Sequence, residues 1–355
     1  MKKNHKFFSN LAFKIAENNL GKTKDNPSVG CIIEKNGTVI SSGVTSINGR
    51  PHAEYNALKR SLNYKDASMY LTLEPCTHYG ITPPCTNLIK KKKIKKVFYC
   101  FDDPDTRTYK KAKAELFKNK IILKKINFKT NDFYKSYYIN KKLNLPFIDA
   151  KIAISNDFFT INKKSKWITN FRSRKVKHLL RSKYDCIVST SKSINADNSL
   201  LNCRINGFDE NKPDLIIIDM NLQLKKKLKL FKSKKKRNIY LFTSQRNKKK
   251  FQFLKKNNIK IIIMKSLNKK KDFFDLLNKI YKIGKRRVLM ETGLTFLNEF
   301  LRLKLINNLY VFKSNKNLSY DGYNNSNTKF LKKLRFKNKL NVNLNGDDLF
   351  KERIK

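Results

Sequence analysis

Hydrophobic positions along the chain fall into two alternating periodicities. Phe7, Phe8, Leu11, Ala12, Ile15 and Ala16 recur at helical spacing, and Gly21 is placed to end that helix. "SVGCIIEKNGTVISSG" reads as two strands joined at Asn36-Gly37, a strong short hairpin signal. A helix over about 53–62 follows, then a strand "SMYLTL" and a helix opening near Pro84. Next come the strand "KVFYCF", a helix over about 110–118 and the strand "KIILKK". "KKLNLPF", near residue 145, looks like a boundary. Beyond it, "FIDAKIAIS", a helix over about 171–182, "CIVST", "DLIIID", "NIYLFT" and "IKIIIM" supply short buried-strand patterns. "RRVLME" then runs into a helix beginning near Gly293, and the tail "LRFKNKLNVNLNGDDLF" predicts edge strands. Strands alternating with helix-period segments predict an α/β class. The length of 355 residues predicts two domains, 1–145 and 146–355, with no internal repeat and no Gly/Ser linker.

Composition adds one unusual feature. The chain carries 80 Lys+Arg against 27 Asp+Glu, a formal charge of +53. Such a field would suit RNA, DNA or an anionic membrane surface. Lys, Asn, Ile and Phe are all read from A/T-rich codons, however, and all are over-used here. The densest basic runs, "KKKKIKK" (90–96) and "KKKLKLFKSKKKR" (225–237), sit where solvated loops or helix faces are expected. The charge is therefore read as compositional drift on a solvated surface, with no nucleic-acid partner. No stretch of about 18 apolar residues exists, so no membrane partner is expected. The basic N-terminal stretch is broken by Asn10 and Lys14 and lacks a cleavage pattern, so it does not read as a signal peptide. Six cysteines without disulfide spacing place the protein in a reducing cytoplasm.

Chemistry concentrates in "PHAEYNALKR" and "LTLEPCTHYGITPPC". A zinc ion in hydrolytic use needs three protein ligands and one open position for water. His52, Cys76 and Cys85 supply those three. Glu54, two residues beyond His52 at the start of a helix, is placed to carry a proton from water to a ring nitrogen and then to a departing amine. Pro84 would put Cys85 at a helix N-terminus, where the dipole favours the thiolate. A closed structural zinc site would need a fourth ligand, for which His78 is the nearby candidate. Cys31, Cys100, Cys186 and Cys203 read as small core hydrophobes.

"HAEYNAL", "YLTLEPCTHYGITPPC" and the preceding "NPSVG" resemble the bifunctional riboflavin-biosynthesis family. That family joins a diaminohydroxyphosphoribosylaminopyrimidine deaminase to a 5-amino-6-(5-phosphoribosylamino)uracil reductase. Other zinc nucleobase deaminases separate the two cysteines by two residues. Here eight intervene, which argues against a tRNA or cytidine deaminase. The resemblance implies a cytidine-deaminase-like three-layer α/β/α domain with His52, Cys76 and Cys85 on zinc, Glu54 as the catalytic proton shuttle, and Asn26 and His78 on the substrate. Two departures stand out. Ile81 occupies a position where the family has Arg or Lys, so a phosphate contact is missing. The loop "DTRTYKKA" (105–112) has lost both glycines of the family's loop, which puts its backbone shape in question.

From residue 146 the resemblance continues into a dihydrofolate-reductase-like α/β domain, carried by "KIAIS", "SKWIT", "LLRSKYD", "SINADNSLLNCR" and "LMETGLTFLNEF". Residues 205–285 and the tail match loosely. The strand-to-helix turn at Gly293 can present backbone N–H groups to a cofactor phosphate, although no Gly-x-Gly-x-x-Gly fingerprint exists. The resemblance implies an NADPH site lined by Ile154, Trp167, Ser193, Asp197, Gly293, Leu294, Thr295, Phe296, Leu297, Asn298 and Glu299. It places Lys151, Ser165, Arg181, Leu201, Arg204 and Glu291 on the substrate, the two arginines being suited to its phosphate. Lys151 and Asp197 are the expected polar groups beside the carbon that accepts hydride. Phe158 stands where the family has Gly and is expected to crowd the cofactor or change the turn; "DNS" (197–199) replaces Asp-Asp-Pro.

The expected function is thus zinc-dependent deamination of the phosphoribosyl diaminopyrimidine, followed by NADPH-dependent reduction of its ribosyl group to ribityl. Family members associate, so a homo-oligomer is expected. Two alternatives are a deaminase with a decayed reductase half and a basic nucleic-acid-binding protein on a deaminase scaffold.

Overall fold

The computed structural model describes residues 4–128, 132–206, 213–232 and 237–355. Residues 233–236 of the second lysine run lie outside the described residues. The chain divides into two compact units, Met1–Asn144 and Leu145–Lys355.

The first unit is built on five strands: β1 (Gly30–Lys35), β2 (Thr38–Val44), β3 (Ser68–Leu73), β4 (Lys96–Phe101) and β5 (Ile122–Lys125), in the order β2-β1-β3-β4-β5. The hairpin between β1 and β2 turns at Asn36 and Gly37, both left-handed (φ 54° and 84°), as a type I′ turn requires. β1 and β3 run antiparallel, while β3, β4 and β5 run parallel. Period-2 alternation gives the sheet two buried faces. Ile32, Tyr70 and Phe98 meet Phe8 and Ala12 of the helix His5–Glu17. Cys31, Ile33, Met69, Leu71 and Val97 pack with Ala53, Ala57, Leu58 and Ile89 on the other side. The result is three layers, α/β/α.

The helix expected over 53–62 spans only Ala53–Leu58. The chain leaves it so that Tyr64 can bury its ring and donate its hydroxyl to the Ala57 carbonyl (3.0 Å). Likewise the helix expected over 110–118 covers Ala112–Phe117, because Lys110 has φ 58° and cannot be helical. The helix Lys135–Leu143, which precedes the boundary, was not foreseen in the sequence.

The second unit holds β6 (Phe147–Ile154), β7 (Ile161–Asn162), β8 (Cys186–Thr190), β9 (Asp214–Ile218), β10 (Ile239–Thr243), β11 (Ile259–Ile263), β12 (Arg287–Met290), β13 (Asn308–Lys313), β14 (Gly322–Tyr323) and β15 (Asp348–Arg353). Its main sheet has the order β11-β10-β9-β8-β12-β6-β13-β15. The strands are parallel except for β15, which runs antiparallel to β13 at the edge. β13 was missed in the sequence, and the tail supplies one edge strand instead of several. Both faces are buried: Ile148, Val188, Ile216 and Val288 lie in one core cluster, Ile187, Leu215, Ile217 and Leu289 in the other. Strands covered on both sides need near-continuous apolar runs, which is the pattern they show. β12 inserts between β6 and β8, so the strand order reverses there, and open α/β sheets bind ligands beyond the strand ends at such a point.

Two candidate active sites

In the first unit the site lies past the ends of β2 and β3. Gly43 on β2 lets the helix Ala53–Leu58 approach, since a Cβ there would overlap the Ala53 carbonyl oxygen. Asn56 Nδ2 then donates to the Val44 carbonyl (2.8 Å) and to Ser46 Oγ (2.9 Å), tying the helix to the strand exit. His52 caps this helix and Glu54 occupies its first turn. Cys76 follows β3, and Cys85 is the first residue of the helix Cys85–Lys91, with Pro84 at the N-cap.

These elements bring three soft donors together. His52 Nδ1 is 3.7 Å from Cys76 Sγ and 3.5 Å from Cys85 Sγ. Four-coordinate zinc with Zn–S of about 2.3 Å and Zn–N of about 2.0–2.1 Å requires N–S edges of about 3.6 Å. The three ligand atoms therefore fit around one zinc ion. Among the described residues no fourth His, Cys or carboxylate joins the group, which leaves a position open. The Cys85 backbone N–H donates to Cys76 Sγ (3.2 Å). Hydrogen bonds from Cys85 and His52 outweigh burial and hold the Cys76 thiol down at about 4, so it stands as a thiolate. Glu54 is buried beside the triad, and burial, then the Cys76 thiolate, raises its carboxyl. A buried carboxyl beside the metal position is placed to take and return a proton.

The other residues singled out in this half sit around that centre. His78 Nδ1 bonds Thr108 Oγ1 (3.0 Å), and Thr77 Oγ1 donates to the Arg107 carbonyl (3.0 Å), so two loops close over the site together. Burial, then the Arg107 charge, lowers the His78 imidazole from its ordinary value. Asn26 Nδ2 donates to the Gly49 carbonyl (2.9 Å), supporting the turn before His52. Loss of glycine from 105–112 does not undo that loop. Lys110 adopts the left-handed conformation itself, and Glu74 accepts backbone N–H bonds from Asp103, Lys110 and Ala112 (3.3, 3.1 and 3.3 Å). Ile81 is 88% exposed. Cys31, Cys100, Cys186 and Cys203 are buried, as small core residues.

The second unit opens a cleft of about 1450 Å³. Lys151, Ser165, Trp167, Arg181, Ser193, Asp197, Leu201, Arg204, Glu291, Gly293, Leu294, Thr295, Phe296 and Glu299 all line it. Ile154 and Leu297 do not, being buried in the core. Asn298 turns away to bond Ser326 Oγ (3.1 Å) and the Asn327 carbonyl (2.9 Å). The Gly293 N–H donates to Ser193 Oγ (3.1 Å), which ties together the turns after β8 and β12. Thr292 Oγ1 is buried there without a partner, a free polar group beside the N-terminus of the helix Leu294–Arg302. Cleft size, unspent hydroxyl and helix terminus together fit a dinucleotide.

Arg181 departs from expectation. Its Nε and Nη2 clasp Glu291 at 2.6 and 2.9 Å, and Nη1 donates to the Asn202 carbonyl (2.9 Å). Burial alone would raise Glu291, but Arg181, helped by Lys151 and Lys177, holds it down at about 2. With its donors committed, Arg181 is a poor phosphate ligand; Arg204, which is exposed, is the better one. Lys177, one helical turn before Arg181, also lines the cleft and went unnoticed in the sequence. Its i, i+4 relation to Arg181 was the available signal. Burial, then Lys151 and Arg181, lowers its ammonium to about 7. Trp167 is 46% exposed, with Arg174, Lys177 and Lys166 ranged over its ring at 4.7, 5.5 and 5.6 Å. Phe158 does not crowd the cleft. It keeps a glycine-like φ of 68° and stacks on Phe336 (6.1 Å), outside the lining.

Residues 2–101 match the model of the cytidine and deoxycytidylate deaminase zinc-binding region, and residues 146–316 match the RibD C-terminal domain. The riboflavin biosynthesis protein RibD of Buchnera aphidicola subsp. Baizongia pistaciae is 33% identical over 327 residues, 86% of each chain. The chain belongs to the RibD family. The RibD of Aquifex aeolicus is 29% identical over 315 residues, again 86% of each chain. A solved RibD from Acinetobacter baumannii superposes with a TM-score of 0.82 at 25% identity, covering 98% of both chains. As a RibD the chain is a bifunctional enzyme of riboflavin biosynthesis, a deaminase and a reductase acting on phosphoribosyl pyrimidines with zinc and NADPH. No helix among the described residues is long and apolar enough to cross a membrane.

Proposed function

We propose that residues 1–145 carry the deamination and residues 146–355 the reduction, with His52, Cys76 and Cys85 holding zinc. The observation behind this assignment is the His52–Cys76–Cys85 triangle, whose N–S edges of 3.7 and 3.5 Å suit tetrahedral zinc. Zinc, when bound, makes a water nucleophilic near neutral pH. Glu54 would take one proton of the attacking water and pass it to the ring nitrogen as the C–O bond forms, then carry the added hydroxyl's proton to the amine as the C–N bond breaks and ammonia leaves. Asn26 and His78 orient the substrate. The deaminated 5-amino-6-(5-phosphoribosylamino)uracil is the substrate of the second half.

In the reductase half, Trp167, Ser193, Asp197, Gly293, Leu294, Thr295, Phe296 and Glu299 hold NADPH, which supplies a hydride to the ribosyl carbon. Lys151 and Asp197 stand beside that carbon. Ser165, Leu201 and Arg204 hold the substrate over the floor made by Arg181 and Glu291. The protein works in the cytoplasm, where its cysteine thiols stay reduced, and as a homo-oligomer.

The test is metal analysis of the purified protein, with ammonia release from the diaminopyrimidine nucleotide and NADPH oxidation on the deaminated product. Zinc with both turnovers is the expected result. Ammonia release without NADPH consumption would leave a deaminase alone.

A further inference from the structure

The substrate of the first half carries a phosphate at the far end of its ribosyl arm, away from the ring carbon that reacts. A cation meeting it belongs at the rim of the site and not at the metal triad. The loop between the two cysteines offers none at position 81, where the exposed Ile81 stands. Arg107 is near, but its charge is spent: Nε and Nη2 close on the Asp105 carboxylate at 2.9 and 2.7 Å.

Arg50 is different. It leaves the turn just before His52 and reaches across to the same loop, where Nη1 donates to Thr82 Oγ1 (2.6 Å). Gly80 makes room for it, since a Cβ there would stand 3.2 Å from Arg50 Nη2. The guanidinium thus lies against Gly80 and Thr82, on either side of Ile81. Among the described residues no carboxylate pairs with it. The turn that carries Arg50 is braced from below by the Asn26 amide on the Gly49 carbonyl (2.9 Å) and by the Gly49 N–H on the Ser46 carbonyl (2.8 Å). A half-buried, braced, uncompensated guanidinium with one Nη committed and Nε and Nη2 left over is suited to grip a phosphate.

We propose that Arg50 binds the substrate's phosphate during deamination, supplying from the turn before His52 the cation that position 81 lacks. This rests on the deaminase assignment above. The phosphate takes no part in the chemistry, so the contact is made equally in ground and transition states and acts on KM rather than kcat.

The test compares full-length zinc-loaded protein with Arg50→Ala on the diaminopyrimidine nucleotide and on its dephosphorylated nucleoside. Loss of one charge-assisted phosphate contact is expected to raise KM for the nucleotide about 10- to 100-fold. kcat, zinc content and KM for the nucleoside should stay as in the parent. Adding Ile81→Arg to Arg50→Ala should restore nucleotide KM, which a purely structural role for Arg50 would not allow. Equal losses on both substrates, loss of zinc, or an unchanged nucleotide KM would each overturn the proposal. Titration with ribose 5-phosphate in an Arg204→Ala background, which removes the second half's phosphate contact, gives a reading independent of turnover: its affinity should fall on adding Arg50→Ala by a similar factor even if the parent released no ammonia. Unchanged affinity there counts against Arg50, whereas absent turnover counts against the deaminase assignment.

Discussion

The two clefts of this chain are built on opposite principles. The first is made of three donor atoms within 4.8 Å of one another and a buried carboxyl beside them, and its chemistry is concentrated at one point. The second is a broad depression in which charge is distributed, with Lys151, Lys177 and Arg181 gathered around Glu291 and Arg204 also on the lining. A point site tolerates almost no change in its few atoms and much change around them. A distributed site tolerates loss of any one contact better, but its buried charges make the fold itself depend on their balance.

Substitutions can break that contrast or sharpen it. Cys85→Ser should have the largest effect: zinc content falls, and deamination drops by about 10³-fold or more. Reduction of supplied deaminated nucleotide should remain within about twofold of the parent. A matching loss in both half-reactions would mean that the two clefts are not separate in kind.

Arg181→Met strands Glu291 in a buried position without its partner, at a cost of about 3–5 kcal/mol. Denaturant melts should show this loss. Replacing both partners by apolar residues should restore much of the stability, because the desolvated charge is then gone. Equal instability in the double variant would show that the pair does more than neutralise itself.

Lys177 yields a smaller, pH-dependent effect. Its ammonium is lowered to about 7, against 10.5 for an unperturbed lysine. Below pH 7 the folded protein bears the full penalty of the charged lysine beside Lys151 and Arg181. Between pH 7 and 10.5 the unfolded chain binds more protons than the folded one, so stability rises with pH across that window. Lys177→Met should therefore raise Tm by about 2–4 °C at pH 6, with the gain fading towards pH 10. A gain independent of pH would point to packing and not charge.

The smallest effect is expected at Phe158. Phe158→Gly relieves a left-handed φ worth about 1–2 kcal/mol but forfeits the stack on Phe336, so net stability should move by about 1 kcal/mol or less. KM for NADPH should not change. A marked fall in that KM would mean that the ring does crowd the cofactor.

The same contrast governs what could be seen in the sequence. His52, Glu54, Cys76 and Cys85 were legible because few residue types bind zinc, and their spacing around strand and helix is restrictive. The hairpin at Asn36-Gly37 was legible because only a few dipeptides suit two successive left-handed residues. In the second half, lysine and arginine are so abundant that the i, i+4 relation of Lys177 to Arg181 is a weak signal, and the commitment of Arg181 to Glu291 is a tertiary fact with no local mark. The missed strand β13 has a short apolar core between Asn308 and Lys313, a pattern shared by short buried helices. Lys110 and Phe158 show a further limit. Replacing a family glycine predicts a changed turn, but the surroundings held both backbones left-handed, Lys110 through Glu74 and Phe158 through its packing.

The most direct test is zinc content set beside ammonia release for Glu54→Gln. The ligands stay intact while the proton carrier is lost, so zinc should equal that of the parent protein while deamination falls about 10²- to 10⁴-fold. Near-parental ammonia release with full zinc would contradict the role given to Glu54 and, with it, the reading of the first cleft.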